Sequence, residues 1–93
     1  MELKRVVVTG LGAITPIGNT VPEFWKNLKD GVSGAGPITY FDASQFKTQF
    51  ACEVKNFDAT EFIHRKEARR MDLYAQYAVG VAKEAVEYSG LGR

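Results

Sequence analysis

The densest chemistry in this 93-residue chain is a run of cations, Arg65-Lys66-Glu67-Ala68-Arg69-Arg70-Met71-Asp72. Arg65 and Arg69, and Lys66 and Arg70, stand four residues apart, so on a helix each pair shares a face. At the start of a helix these four cations would oppose the positive end of its dipole, a cost of about a few tenths of a kcal/mol or more. A placement that costs stability suits the docking of an acidic or phosphorylated partner. The plainer alternative is a solvated charged face, and composition alone favours it.

Three other features invite chemistry and support it poorly. Thr9-Gly10-Leu11-Gly12 follows an apolar run, as a phosphate-cradling loop would. The dinucleotide fingerprint, however, needs a third glycine where Thr15 stands, and Pro16 follows it. A helix start is expected only near Val21, so no helix N-terminus faces the glycines. They read instead as a tight exit from a strand, with positive φ. Cys52 lies between Ala51 and Glu53 on an expected strand, and the single histidine, His64, lies beyond a turn. A nucleophilic thiol wants a cationic or helix-N-terminal setting and a partner base. Cys52 therefore reads as a small buried hydrophobe and His64 as a hydrated or hydrogen-bonded surface residue. One Cys and one His make no metal site. The acidic residues are scattered, and no catalytic residue is assigned.

The elements that must position these groups follow from pattern. Arg5-Val6-Val7-Val8-Thr9, closed by Gly10, predicts a strand buried on both faces. Gly10 to Asn19 is a loop. Thr20 caps a helix over about Val21 to Lys29, with Pro22 in its first turn and Glu23 completing a capping box. That helix is expected to bury Phe24, Trp25 and Leu28 and to end at Asp30-Gly31. Val32 to Pro37 is loop, and Asp42 and Ser44 form turns in an irregular stretch. Phe50 to Val54 predicts a second strand, and Asp58 to Ile63 a short capped turn. A long helix is expected from about Arg65 to Tyr88, stopping at Ser89-Gly90. Its polar positions Asp72, Gln76, Lys83 and Glu87 share a narrow arc, with Glu84 off to one side. The rest is apolar or small, which belongs in the interior of a larger protein than two strands and one further helix can build.

Bulk properties set the frame. The chain is 45% hydrophobic and 25% charged, which suits a globular chain and argues against disorder. A formal net charge of +1 leaves no overall bias towards nucleic acid or anionic membrane, so an electrostatic partner needs a local patch. One cysteine forms no internal disulfide, as in a reducing compartment. The basic lead-in Lys4-Arg5 is followed by an apolar run that Thr9, Gly10 and Gly12 break at once, and no 18 consecutive apolar residues occur. A cytoplasmic location without membrane insertion is the expectation.

In order along the chain stand Arg5 to Gly12, Thr15-Pro16-Ile17-Gly18-Asn19, Trp25, Asp30-Gly31 with Ser33-Gly34, and Phe41-Asp42. Phe50-Ala51, Val54-Lys55, Arg65-Lys66-Glu67, Arg69 to Asp72, Gln76-Tyr77 and Ser89-Gly90-Leu91 continue the series. This succession resembles the opening of the β-ketoacyl-acyl-carrier-protein synthases, most closely the synthase II branch.

The resemblance implies an α/β fold class: a partial N-terminal segment of a thiolase-like layered αβαβα fold, with residues 1–93 part of one N-terminal domain and no internal boundary. It implies an enzyme, an acyltransferase of fatty acid biosynthesis that is homodimeric at full length. Members load an acyl group onto a cysteine and condense it with decarboxylated malonyl-carrier protein, assisted by two histidines, all three beyond residue 93. No cofactor is implied, since the phosphopantetheine arm arrives on acyl carrier protein. The positions of Lys66, Arg69 and Arg70, with Arg65 adjacent, match those that dock that carrier, which shifts the reading of the cluster from solvated face to docking site. Alternatives are a non-catalytic module that binds acyl carrier protein through its basic helix, and a polyketide ketosynthase or its chain-length partner. A nucleotide-binding reductase fragment and a nucleic-acid binder are less favoured.

Overall fold

In a computed structural model that describes residues 3–91, the local signals of the first helix hold to the residue. Helix α1 spans Val21–Lys29, with Pro22 in its first turn. The Thr20 hydroxyl accepts from the Glu23 amide at 3.3 Å, and Gly31 follows the C-cap Asp30 at φ +71°. No residue of α1 is buried, contrary to expectation: Trp25 is 56% exposed and its ring lies beneath the Lys29 ammonium, 5.4 Å from the centroid.

Four further expectations fail at or near the sheet. Val6 to Val8 enter no ladder, and Val6 is 89% exposed. A strand exists only against a partner, and no described residue offers one to this run. The expected loop before Pro37 instead contributes β1 (Ala35–Pro37), antiparallel to β2 (Phe50–Cys52), with Gly36 opposite Ala51. Strand β2 stops before Val54, and Cys52 is exposed rather than buried. Asp42 turns the intervening chain as expected, accepting from the Ser44 amide at 3.0 Å.

The glycines of the first loop also act differently. Gly10 and Gly12 do not have positive φ. A Cβ on Gly10 would collide with the carbonyl of Ala85, and one on Gly12 with that of Val81. Their missing side chains let the loop lie directly on the backbone of α3 (Leu73–Ser89). Gly80 admits Phe62 and Ile14 by the same means, since a Cβ there would stand 2.8 and 2.9 Å from their side chains.

One carboxylate fastens this contact. Glu84, half-buried on α3, accepts from the Ala13 amide through Oε1 and from the Val21 amide through Oε2, both at 2.9 Å. It thus ties the glycine loop and the first turn of α1 to a helix more than sixty residues away. Glu84→Ala would leave two amides without their charged acceptor and is expected to destabilise this junction by about 2 kcal/mol. Amide exchange across residues 10–21 should then accelerate about 30-fold while that of β1 and β2 is unchanged. Equal exchange in both proteins would remove the clamp.

The molecule is open. Its radius of gyration is 16.9 Å, against about 12 Å for a compact domain of this length. Only Ala43, Ala59, Ile63 and Ala68 are buried hydrophobics among the described residues. Helix α3 buries none of its residues, and Tyr74 and Tyr88 are largely exposed. The sequence expectation that this helix carries more apolar surface than its neighbours cover is met.

Candidate functional site

The expected long helix is two helices. Helix α2 covers only Arg65–Ala68, and α3 begins at Leu73. Between them Asp72 adopts extended backbone, φ −67° and ψ 158°, and serves as N-cap of α3 without a side-chain cap bond. The link tightens first: the Arg70 amide donates to Glu67 O and the Met71 amide to Ala68 O, each a three-residue closure. The four cations therefore do not stand at the head of a long helix, and the dipole penalty does not arise. Lys66 belongs to α2, Arg69 is its C-cap, and Arg70 lies on the link. Asp72, at the head of α3, carries the sign that its dipole favours.

Arg65, Lys66, Arg69 and Arg70 are all exposed. None forms a salt bridge among the described residues, where the ion pair found is Lys83–Glu87 at 3.9 Å. Glu67 and Asp72 are the carboxylates nearest in sequence, and neither pairs with the group, which keeps a net positive charge. The charges are free to meet an anionic surface.

Beneath them lies the best-packed part of the molecule. Ala59, Ile63 and Ala68 form one buried cluster, against which Phe57, Phe62 and Met71 pack. The Phe57 ring meets Tyr77 edge-on at 4.7 Å and Phe62 at 5.7 Å. Burial there pushes the Tyr77 phenol above its ordinary pKa, with a further contribution from Tyr40. Asp58 caps the 3-10 turn Ala59–Glu61 by accepting from Thr60, whose hydroxyl and amide hold the carboxyl below its usual range. His64 caps α2, its Nδ1 accepting from the Lys66 amide at 3.2 Å, in keeping with a hydrogen-bonded surface role. Ala68 and Met71 thus anchor the basic turn on the buried cluster while its cations are exposed.

Gln76 belongs to this site, although its spacing assigned it to the polar arc of the long helix. Its Nε2 donates to Ala68 O at 2.9 Å and to Met71 O at 3.2 Å. Among the described residues, no group of three or more Cys, His, Asp or Glu side chains is arranged to hold a metal ion. Cys52 lies on β2, within an open apolar recess lined also by Ile38, Phe41, Leu73 and Tyr77. His64 caps α2 and does not line that recess, and the fold does not make the two a pair.

Residues 3–93 match the family described as the N-terminal domain of beta-ketoacyl synthases. The chain is 57% identical over 86 residues to the 3-oxoacyl-(acyl-carrier-protein) synthase 2 of Synechocystis sp., covering 92% of this chain and 21% of that protein. It is 50% identical over 91 residues to the synthase of the same name from Vibrio harveyi, covering 98% of this chain and 22% of that one. A solved structure, the ishigamide ketosynthase/chain length factor, superposes with a TM-score of 0.82 at 43% identity, covering 90% of this chain and 21% of that chain. The chain thus spans about a fifth of the length of the relatives it matches.

Proposed function

The chain belongs to the β-ketoacyl synthase family, as an N-terminal portion of the synthase II type with a thiolase-like α/β fold, and from that premise we propose that it supplies part of the frame and the carrier-docking corner of an enzyme that elongates fatty acyl chains. The observation that carries the docking role is the set of four exposed, ion-pair-free cations on a turn anchored by the buried cluster. Acyl carrier protein is acidic, so it meets this corner with favourable long-range attraction, which raises encounter rate and fixes orientation. The carrier's arm then delivers the acyl group to a cysteine that the family carries beyond residue 93. Decarboxylation of malonyl-carrier protein gives the carbanion that attacks the acyl thioester. One CO2 leaves, the enzyme thiol is released, and the β-ketoacyl product is two carbons longer.

The enzyme acts as a homodimer in the cytoplasm on this reading; no helix among the described residues is long and apolar enough to cross a membrane. The full-length polypeptide, given acyl-carrier and malonyl-carrier protein, is expected to release CO2 and form the 3-oxoacyl-carrier product in equal amounts. Carrier binding without either product would instead favour the non-catalytic module.

A further inference from the structure

We propose that Gln76 is a positioning residue for carrier docking, the side chain that holds Arg69 and Arg70 in their presenting geometry; this rests on the docking role of the basic turn. The link from Arg69 to Asp72 has neither the continuous hydrogen-bond ladder of a helix nor a cap from Asp72 to stabilise it. A sequence of Arg, Arg and Met has good helix propensity. Continuing α2 straight into α3 would therefore be locally reasonable, and it would rotate both arginines to other directions. What favours the break is a donor that reaches back from the first turn of α3.

The Gln76 amide spans the break. Ala68 O, near the end of α2, and Met71 O, on the link, both face Nε2, at 2.9 and 3.2 Å. Both partners are carbonyl oxygens, so only the amide nitrogen can serve them. Ala68 is 7% exposed and Met71 packs on the buried cluster, so the two residues whose carbonyls Gln76 bridges are themselves fixed by packing, while Arg69 and Arg70 are exposed. Gln76 itself is half-buried, which makes loss of its donor costlier than at an open surface. The arrangement separates labour: the cations touch the partner, and Gln76 touches only the backbone that carries two of them.

The test uses the full-length polypeptide with Gln76→Met, which keeps length and volume but cannot donate. Gln76→Ala, which removes the donor without adding a charge, decides the matter if the first variant folds poorly. Both should raise KM for acyl-carrier protein roughly five-fold with little change in kcat. Kinetics with a carrier-free acyl pantetheine thioester should be unchanged, and amide exchange across residues 69–72 should quicken. An equal loss on both substrates, or an unchanged KM for the carrier-bound one, would overturn the positioning role. The triple variant K66E/R69E/R70E separates the two claims. If it weakens carrier binding while the Gln76 variants do not, only the positioning role falls; if it leaves binding unchanged, the docking role falls and this inference with it.

Discussion

Charge reversal at Lys66, Arg69 and Arg70 together is expected to weaken binding of acyl carrier protein to the full-length polypeptide by on the order of 100-fold at low salt. Each exposed charge pair contributes little alone, about 0.2–1 kcal/mol, but reversal replaces three attractions with three repulsions. The salt dependence should flatten or invert, since attraction screened over about 10 Å at 0.1 M salt is what the cations supply. Isothermal titration of the full-length polypeptide across a salt series measures both quantities. K26E/K29E/K47E changes net charge equally and serves as control; these lysines lie on α1 and on the loop before β2. An equal loss in both triples would assign the effect to the overall field rather than to the basic turn. No loss in either would remove the docking assignment.

The second large effect is steric. Gly12→Ala directs a methyl group into the carbonyl of Val81 and against its Cα, backbone atoms that cannot swing aside. The loop must lift from α3, and with it goes the bond from the Ala13 amide to Glu84. A penalty of about 3 kcal/mol is expected, at the upper end for overpacking, because backbone meets backbone. Gly36→Ala on β1 is the control: a Cβ there meets nothing within 4 Å, and its φ is not positive. Thermal unfolding of the full-length polypeptide should separate the two variants by several degrees. Similar midpoints would mean that the loop does not rest on α3 as described.

What could be read from the sequence was local. Thr20, Pro22 and the Asp30-Gly31 stop define α1 because capping is decided within a few residues. The end of α3 is equally legible, since Gly90 takes the left-handed conformation at φ 78° that glycine favours. The residue types of the basic turn were legible too, and the family resemblance supplied the role proposed for them. The geometry was not. The break between α2 and α3 depends on Gln76 reaching back to Ala68 and Met71, a contact that no window of helix formers reveals. Strand β1, the tripeptide Ala-Gly-Pro, has no strand propensity of its own and exists only through its pairing with β2. Glu84 did leave a trace, as a charge off the polar arc of an otherwise apolar helix. Its partners, 63 and 71 residues distant, could be found only in three dimensions.

The bare run Val6-Val7-Val8 carries a liability during biosynthesis. It leaves the ribosome some eighty residues ahead of the far end of α3, onto whose backbone Gly10 and Gly12 settle the adjoining loop. In that interval it offers three consecutive β-branched side chains with free amides and carbonyls, a template onto which another nascent copy can add a strand. Lys4 and Arg5 stand immediately upstream, where like charges on two copies repel in register. Charges so placed disfavour pairing of one such run with another.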